Sequence, residues 1–181
     1  MIITLAGNEG SGKTTLAKLL AKELNYKFYS IGDLRGKMAQ EKNMTIDELN
    51  KIGEKEDWTD KEVDNYQKTL GQKEDNFVIE GRLSWYFIPQ SKKIFLKVDP
   101  KTGARRIFLD QREDEKKVAT INSMIEYICE RRQSDDKRYK KYYGVDINEK
   151  ENYDLIIDTT NKTPQEILKE IIKYLKNETN I

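Results

Sequence analysis

The sequence predicts one α/β domain over residues 1–181, built as a three-layer sandwich with a five-stranded parallel sheet between helices. Two observations predict this class. Segments with the composition of strands alternate with amphipathic helical segments along the chain, which is typical of a parallel sheet covered on both faces. The strand segments are also continuous apolar runs, as expected for strands buried on both faces. The length of 181 residues suits a single domain.

The predicted elements follow one another in a regular order. Strands are predicted at residues 2–6, 26–29, 77–80, 93–98 and 153–157. Helices are predicted from about 13 to 24, from Gly32-Asp33 to about Gln40, as two charged helices within 45–72, and from about 164 to 176. Thr45 and Glu48 form a capping box that begins the first charged helix, and Pro100 and Pro164 each open a helix after a strand.

The composition excludes several classes of protein. Lys and Arg number 33 against 32 Asp and Glu, a net charge of +1, so the chain is not expected to wrap a nucleic acid polymer by bulk charge. The absence of His removes Ser-His-Asp triads, His metal sites and His acid–base catalysis. A single Cys, Cys129, excludes an internal disulfide, and its helical position predicts a buried, inert thiol.

The N-terminal segment indicates the cellular location of the protein. Its apolar run is too short for a signal peptide or a membrane span, and no charged segment precedes it. We therefore expect a cytoplasmic protein that does not bind a membrane.

The strongest motif is a glycine-rich loop between the first strand and the first helix. Residues 7–14 fit the pattern G-x-x-x-x-G-K-[ST] with every required position filled. Backbone N–H groups of such a loop converge on phosphate oxygens, while Lys13 can reach the β- and γ-phosphates and the Thr14 hydroxyl can ligate Mg²⁺. We therefore expect ATP and Mg²⁺ to bind at Gly7, Asn8, Glu9, Gly10, Ser11, Gly12, Lys13, Thr14 and Thr15.

The scarce arginines indicate a second anion site that faces this loop. A chain of this length is too short for a motor or helicase, and it lacks the Asn/Thr-Lys-x-Asp element of nucleotide switches, which favours a small kinase. Only eight of the 33 cations are Arg. Arg82 follows the third strand, and Ser30 and Asp33 follow the second, so these residues border the crevice at the carboxyl ends of the strands.

A further group of charges belongs to a helix late in the chain. Arg131, Asp135 and Arg138 are spaced i, i+4 and i+7, which puts them on one helix face. The alternative is a solvent-exposed face of ion pairs, but residues 131–141 hold six cations and two anions, an excess that pairing does not require. We therefore expect this face to contribute to the anion site.

Together these motifs resemble those of the nucleoside monophosphate kinases, and most closely the cytidylate kinases of the short archaeal type. The resemblance covers nearly the whole chain and rests on the loop 7–14, on Ser30-Ile31-Gly32-Asp33 with residues 44–49, on Glu80-Gly81-Arg82-Leu83-Ser84, and on residues 131–146. It implies a monomer of the P-loop NTPase fold with a small helical lid, which transfers the γ-phosphoryl group of MgATP to CMP or dCMP. The acceptor phosphate is itself a nucleophile, so no general base is needed.

The resemblance also implies roles for individual residues. The residues that would hold the acceptor nucleotide are Ser30, Asp33, Arg35, Arg82, Arg131, Asp135 and Arg138. Those that would stabilise the transferred charge are Lys13, Arg82, Arg106, Arg131 and Arg138. Helices within about 32–72 would bind the acceptor, and a lid over about 105–120 would close on ATP with Arg105, Arg106 and Arg112.

Two positions depart from the family pattern. Arg35-Gly36 stands where the family has an aromatic or apolar residue followed by Arg, and a shift of one residue turns a side chain by about 100° on a helix. Leu83 follows Arg82 where bacterial relatives place Asp. Two alternatives stay open: a kinase for another nucleotide or a small polar metabolite, and a nucleotide-binding regulatory protein without efficient transfer.

Overall fold

The fold is a five-stranded parallel sheet covered by helices, and a computed structural model describes it over residues 1–111 and 117–179. The strands are β1 (Ile2–Gly7), β2 (Lys27–Ser30), β3 (Phe77–Glu80), β4 (Lys92–Lys97) and β5 (Leu155–Asp158). Every neighbouring pair is parallel, and the order across the sheet is β2-β3-β1-β4-β5. The predicted fold class is therefore confirmed, with the loop after β1 at the centre of the sheet.

Eight α-helices accompany the strands within the described ranges. They are α1 (Lys13–Leu24), α2 (Ile31–Glu41), α3 (Ile46–Gly53), α4 (Trp58–Lys73), α5 (Ser84–Phe87), α6 (Pro100–Leu109), α7 (Ile121–Tyr143) and α8 (Pro164–Thr179). The predicted capping box of Thr45 and Glu48 begins α3, and a second one at Thr120 begins α7. Pro100 and Pro164 open α6 and α8, as predicted.

The central strand buries side chains on both faces of the sheet. Ile3 and Leu5 belong to the core that α1 and α8 cover. Ile2 and Ala6 point to the opposite face, where α4 and α5 pack. This two-sided burial explains the continuous apolar composition of β1 and fixes the loop that follows it.

Some predicted boundaries and one burial prediction are wrong. The helix after β2 begins directly at Ile31, because the Ser30 hydroxyl accepts a hydrogen bond of 3.1 Å from the Asp33 N–H and caps it. β5 begins two residues later than predicted, because the Tyr153 N–H donates to the Lys150 carbonyl (3.1 Å) and closes a short 3₁₀-helix over Lys150–Asn152. The single cysteine is exposed on α7 and not buried as expected. The short helix α5 was not predicted.

The described ranges contain neither a candidate membrane span nor a ready-made metal cluster. No helix there combines the length and the apolar character that crossing a membrane would require. Nor do three acidic or sulfur side chains gather there in a group that could hold a metal ion by themselves.

Candidate active site

A cleft of about 550 Å³ opens at the carboxyl ends of the parallel strands, between the glycine-rich loop and helices α2, α3, α4 and α7. Ligands of open α/β sheets bind at this edge, in clefts of roughly 300 to 1,000 Å³. The predicted site residues that line it are Glu9, Gly10, Gly12, Lys13, Thr14, Thr15, Arg35, Arg82, Arg106, Arg131, Asp135 and Arg138.

The loop between β1 and α1 has a backbone shape that favours glycine. Gly10 and Gly12 have φ angles of 71° and 83°, in the left-handed region. A Cβ atom at Gly10 would collide with the backbone of Gly103, so the loop lies directly against α6. Gly12 is the N-cap of α1. The loop therefore brings the N-terminus of α1 to the cleft, where the helix dipole favours an anion.

Side chains of the loop stabilise its shape. The Lys13 ammonium donates hydrogen bonds to the carbonyls of Gly7 (3.0 Å) and Asn8 (2.8 Å). Burial lowers the pKa of Lys13 to about 8. The Ser11 hydroxyl also donates to the Asn8 carbonyl (2.8 Å), and Asn8 Oδ1 accepts from the Val98 N–H. Asn8 and Ser11 thus hold the loop, whereas Lys13 lines the cleft.

A buried carboxylate at the end of β3 is a residue that the sequence analysis missed. Glu80 Oε1 accepts hydrogen bonds from the Thr14 hydroxyl (3.2 Å) and the Ser30 hydroxyl (2.5 Å). It is 5% exposed and lines the cleft. A charged residue that ends an otherwise apolar strand was the available signal, because the carboxyl ends of strands face the ligand.

The loop is joined to the rest of the cleft by ion pairs. The Glu9 carboxylate accepts from Arg82 (2.9 Å) and from Arg132 (2.6 Å), and Arg82 also pairs with Asp135. Burial opposes ionisation of Glu9, but the two arginines outweigh it and lower its pKa to about 2. Burial likewise opposes the charge on Arg82, but Asp135 and Glu9 raise its pKa. Arg132 is a second contact that the sequence analysis missed.

Ion pairs between arginines and aspartates also join α2, α4 and α7 at the end of the cleft away from the loop. Arg138 pairs with Asp135 on its own helix and donates to both oxygens of Asp60 at 2.9 and 3.1 Å. Arg35 donates to Asp60 (2.9 Å) and to Asn50 Oδ1 (2.9 Å). In the part of the chain that the structure describes, Arg35 Nη2 and Arg138 Nε are buried and have no hydrogen-bond partner. Each is a donor that a bound anion could satisfy.

Of the three predicted acceptor residues at the end of β2 and in α2, one lies in the cleft and two do not. Arg35 lies in the cleft despite its one-residue displacement, because it reaches across to α3 and α4. Ser30 is not among the residues that line the cleft, and its hydroxyl donates to Glu80, which does line it. The structure does not bring Asp33 to the cleft: its side chain is exposed, and its backbone N–H is used to cap α2.

Of the predicted lid arginines that lie within the described residues, Arg106 contacts the glycine-rich loop. Its guanidinium donates to the carbonyls of Gly10 (3.2 Å), Thr159 (2.9 Å) and Thr160 (3.2 Å). Arg106 therefore connects the glycine-rich loop to the segment after β5. Arg105 is exposed and is not among the residues that line the cleft. Arg112 lies outside the described residues, so the lid over 105–120 stays a prediction.

The far end of the cleft is lined by polar residues that the sequence did not single out. Asp64 and Gln67 lie on the same face of α4 as Asp60 and are almost fully buried. Asp64 accepts a hydrogen bond from the Tyr143 hydroxyl, and Gln67 Oε1 accepts one from the Ser84 hydroxyl (2.7 Å). Burial raises the pKa of Asp64 to about 6. Aspartates on a charged helix gave no local signal that distinguishes them from solvated ones.

Comparison with known sequences finds one family. Residues 2–161 match the model of the cytidylate kinase-like family. The cytidylate kinase of Methanosphaera stadtmanae is 36% identical over 177 residues, covering 98% of this chain and 99% of that protein. The cytidylate kinase of Methanobrevibacter smithii is 37% identical over 176 residues, covering 97% of this chain and 99% of that protein.

Comparison with solved structures concerns the fold. A shikimate kinase from Bacteroides thetaiotaomicron superposes with a TM-score of 0.66 at 18% identity, covering 100% of this chain and 99% of that one. Similarity at this level of identity bears on architecture alone. It agrees with the α/β architecture described above.

Proposed function

Because the chain belongs to the cytidylate kinase-like family, we propose that it transfers the γ-phosphoryl group of ATP to CMP or dCMP, giving ADP and CDP or dCDP. One observation carries the proposal: a single cleft has a phosphate-binding loop at one end and buried arginines at the other. A kinase needs two anion sites that face each other.

We propose that Arg35, Arg82 and Arg138 bind the phosphate of the acceptor. The buried donors Arg35 Nη2 and Arg138 Nε support this role, because phosphate oxygens would supply the acceptors that they lack. Asp60 and Asp135 hold these guanidinium groups in place before the substrate arrives. Arg138 is 2% exposed and binds two carboxylates, so it also positions its neighbours.

The chemistry requires no proton acceptor. An oxygen of the acceptor phosphate attacks the γ-phosphorus of ATP, and the bond from that phosphorus to the bridging oxygen of ADP breaks. Negative charge moves between the two nucleotides during this step. Lys13, Arg82 and Arg131 line the cleft and are proposed to neutralise it. This mechanism agrees with a chain that contains no histidine.

The oxygen atoms beside the loop fit a magnesium ion. The Thr14 hydroxyl and Glu80 Oε1 are 3.2 Å apart, and both are hard ligands of the kind that Mg²⁺ prefers. Thr14 and Glu80 would hold the ion, which supplies charge neutralisation at the β- and γ-phosphates when it is bound. We propose Glu80 in this role in addition to the predicted Thr14.

The remaining expectations are proposals as well. Residues 32–72 contribute three helices to the acceptor end, and 105–120 would form the lid, with Arg106 holding the loop. We propose that the protein works as a monomer in the cytoplasm. The single Cys of the chain, which can form no internal disulfide, supports the cytoplasmic location.

An acceptor panel tests the proposed function. The purified protein is incubated with MgATP and, separately, CMP, dCMP, UMP, AMP or shikimate, and both ADP and the phosphorylated acceptor are quantified by chromatography. We expect CDP or dCDP in equal amount to ADP. We expect Lys13→Ala to lower kcat by about 10²- to 10³-fold, because it removes a charge at the transferred group.

The matched control is Lys18→Ala, which removes an exposed lysine from the same helix and should leave kcat unchanged. Absence of turnover with both CMP and dCMP would contradict the proposal. ADP formed without any phosphorylated acceptor would instead favour a nucleotide-binding regulatory protein.

A further inference from the structure

We propose that Asp64 and Gln67 read the base of the acceptor, and that Asp64 selects cytosine over uracil by accepting a hydrogen bond from the exocyclic amino group. This inference rests on the proposed function and extends it to the residues that decide specificity. It concerns the far end of the cleft, beyond the arginines.

The first step is the position of the two side chains. Asp60, Asp64 and Gln67 follow one another along one face of α4. By helical rise, Asp64 lies about 6 Å and Gln67 about 10 Å along the helix axis from Asp60. Asp60 holds the arginines proposed to bind phosphate. The phosphate and the base edge lie at opposite ends of a nucleotide. A nucleotide whose phosphate is level with Asp60 can therefore extend its base toward Asp64 and Gln67.

The second step is the hydrogen-bonding capacity that these side chains keep. Asp64 uses one carboxylate oxygen to accept from Tyr143, and Gln67 uses its carbonyl oxygen to accept from Ser84. Asp64 Oδ1 and Gln67 Nε2 make no hydrogen bond to any part of the chain that the structure describes, and both residues line the cleft. The cleft thus offers one acceptor and one donor from two residues that are three positions apart on α4.

The third step is the match to the base. Cytosine presents an amino donor at C4 beside the N3 acceptor, whereas uracil presents a carbonyl acceptor at C4. The amino group fits Asp64, and N3 or O2 fits the amide of Gln67. Uracil would set its carbonyl against a buried carboxylate, which can only accept when ionised. Val63 and Tyr143 also line this end and supply apolar surface for a flat ring.

The two side chains contribute differently to selection. The Ser84 hydroxyl can donate or accept, so the Gln67 amide can turn and present either end to the base. Asp64 has no such freedom while it is ionised. Discrimination therefore depends on Asp64, and Gln67 orients the ring.

The test is the ratio of kcat/KM for CMP to kcat/KM for UMP in Asp64→Asn. The asparagine keeps an oxygen that accepts from Tyr143, while its NH₂ group can donate to the uracil carbonyl. We expect the ratio to fall by about 10- to 100-fold, mainly through KM for the pyrimidine nucleotides, with KM for MgATP unchanged. The control Glu62→Gln removes a carboxylate from the exposed face of α4 and should leave the ratio unchanged.

A second measurement needs no substitution. Asp64 is faced by Tyr143 from α7, by Arg35 from α2, and by Asp60 and Lys68 from its own helix. Because burial raises the pKa of Asp64 to about 6, protonation below that pH lets it donate to uracil. The relative use of UMP by the wild type should rise as the pH falls from 7.5 to 5.5.

The outcomes separate this inference from the function on which it rests. A wild type that phosphorylates CMP, with the same CMP-to-UMP ratio in Asp64→Asn and at both pH values, would overturn the role of Asp64 alone. A wild type that phosphorylates neither nucleotide would overturn the proposed function as well.

Discussion

The two ends of the cleft are built by different means. At the loop end, the proposed anion site consists of backbone groups between β1 and α1, and side chains such as Ser11 hold the loop in shape. At the acceptor end, the proposed site consists of arginines from three separate segments, which aspartates from two helices hold in place. The loop end is local in sequence, whereas the acceptor end requires the whole fold.

This difference has an energetic consequence. The loop is preorganised by glycine geometry and by contact with α6, and its one carboxylate, Glu9, is paired with Arg82 and Arg132. The arginines of the acceptor end would repel one another without Asp60 and Asp135. Paired charges of this kind keep donors aimed at a substrate without reorganisation during the reaction. Because these pairs are buried, removal of one partner also lowers the free energy of unfolding.

The largest expected effect comes from removing the arginine that links the two ends. Arg82→Ala should lower kcat/KM for the acceptor by about 10²- to 10³-fold, because a phosphate ligand is lost. It should also lower the free energy of unfolding by about 3 to 5 kcal/mol, since Glu9 and Asp135 each lose a buried partner. Steady-state kinetics and urea unfolding measure the two effects.

Two further variants qualify that result. Arg82→Lys retains the charge but not the planar fork and should fall between wild type and Arg82→Ala in both measurements. Lys140→Ala, at an exposed position of α7, should change neither. If Arg82→Ala has wild-type kcat/KM for CMP, the acceptor end has been misassigned.

A smaller effect is expected at the carboxylate that joins the loop to the arginines. Glu9 has a pKa of about 2 in the folded protein and an ordinary value of 4.5. The stability that its ionisation contributes is complete above pH 4.5 and is lost as the pH falls toward 2. The difference in unfolding free energy between wild type and Glu9→Gln should therefore shrink by about 3 kcal/mol between pH 5 and pH 2.

Urea unfolding at several pH values measures this change. Glu23→Gln, at an exposed position on α1, should alter the free energy of unfolding by less than about 0.5 kcal/mol at neutral pH. A difference between wild type and Glu9→Gln that does not vary with pH would mean that Glu9 is not held by Arg82 and Arg132.

The same contrast explains what could be predicted from sequence. The five strands, the loop 7–14 and the capped helix α3 depend on neighbouring residues, and each was predicted close to its observed bounds. The face of Arg131, Asp135 and Arg138 also follows from helical spacing, and all three line the cleft.

The residues missed by the sequence analysis depend on contacts between distant segments. Asp60 accepts a hydrogen bond from Arg138, which is 78 residues away in the sequence, and Glu9 accepts one from Arg132, which is 123 residues away. In a chain with 36% charged residues, nothing local separates such carboxylates from solvated ones. The expectation for Asp33 failed in the opposite way, because the Ser30 cap uses its backbone and leaves its side chain in solvent.

The most direct test of a cleft with two separate ends is isothermal titration calorimetry of Lys13→Ala and Arg35→Ala, with MgATP and CMP each titrated alone. The account predicts that Lys13→Ala weakens the binding of MgATP and leaves that of CMP near the wild-type value, and that Arg35→Ala, which removes an arginine paired with Asp60 and Asn50 at the acceptor end, does the reverse. Equal weakening of both nucleotides in both variants would contradict it, because the two phosphates would then share one site.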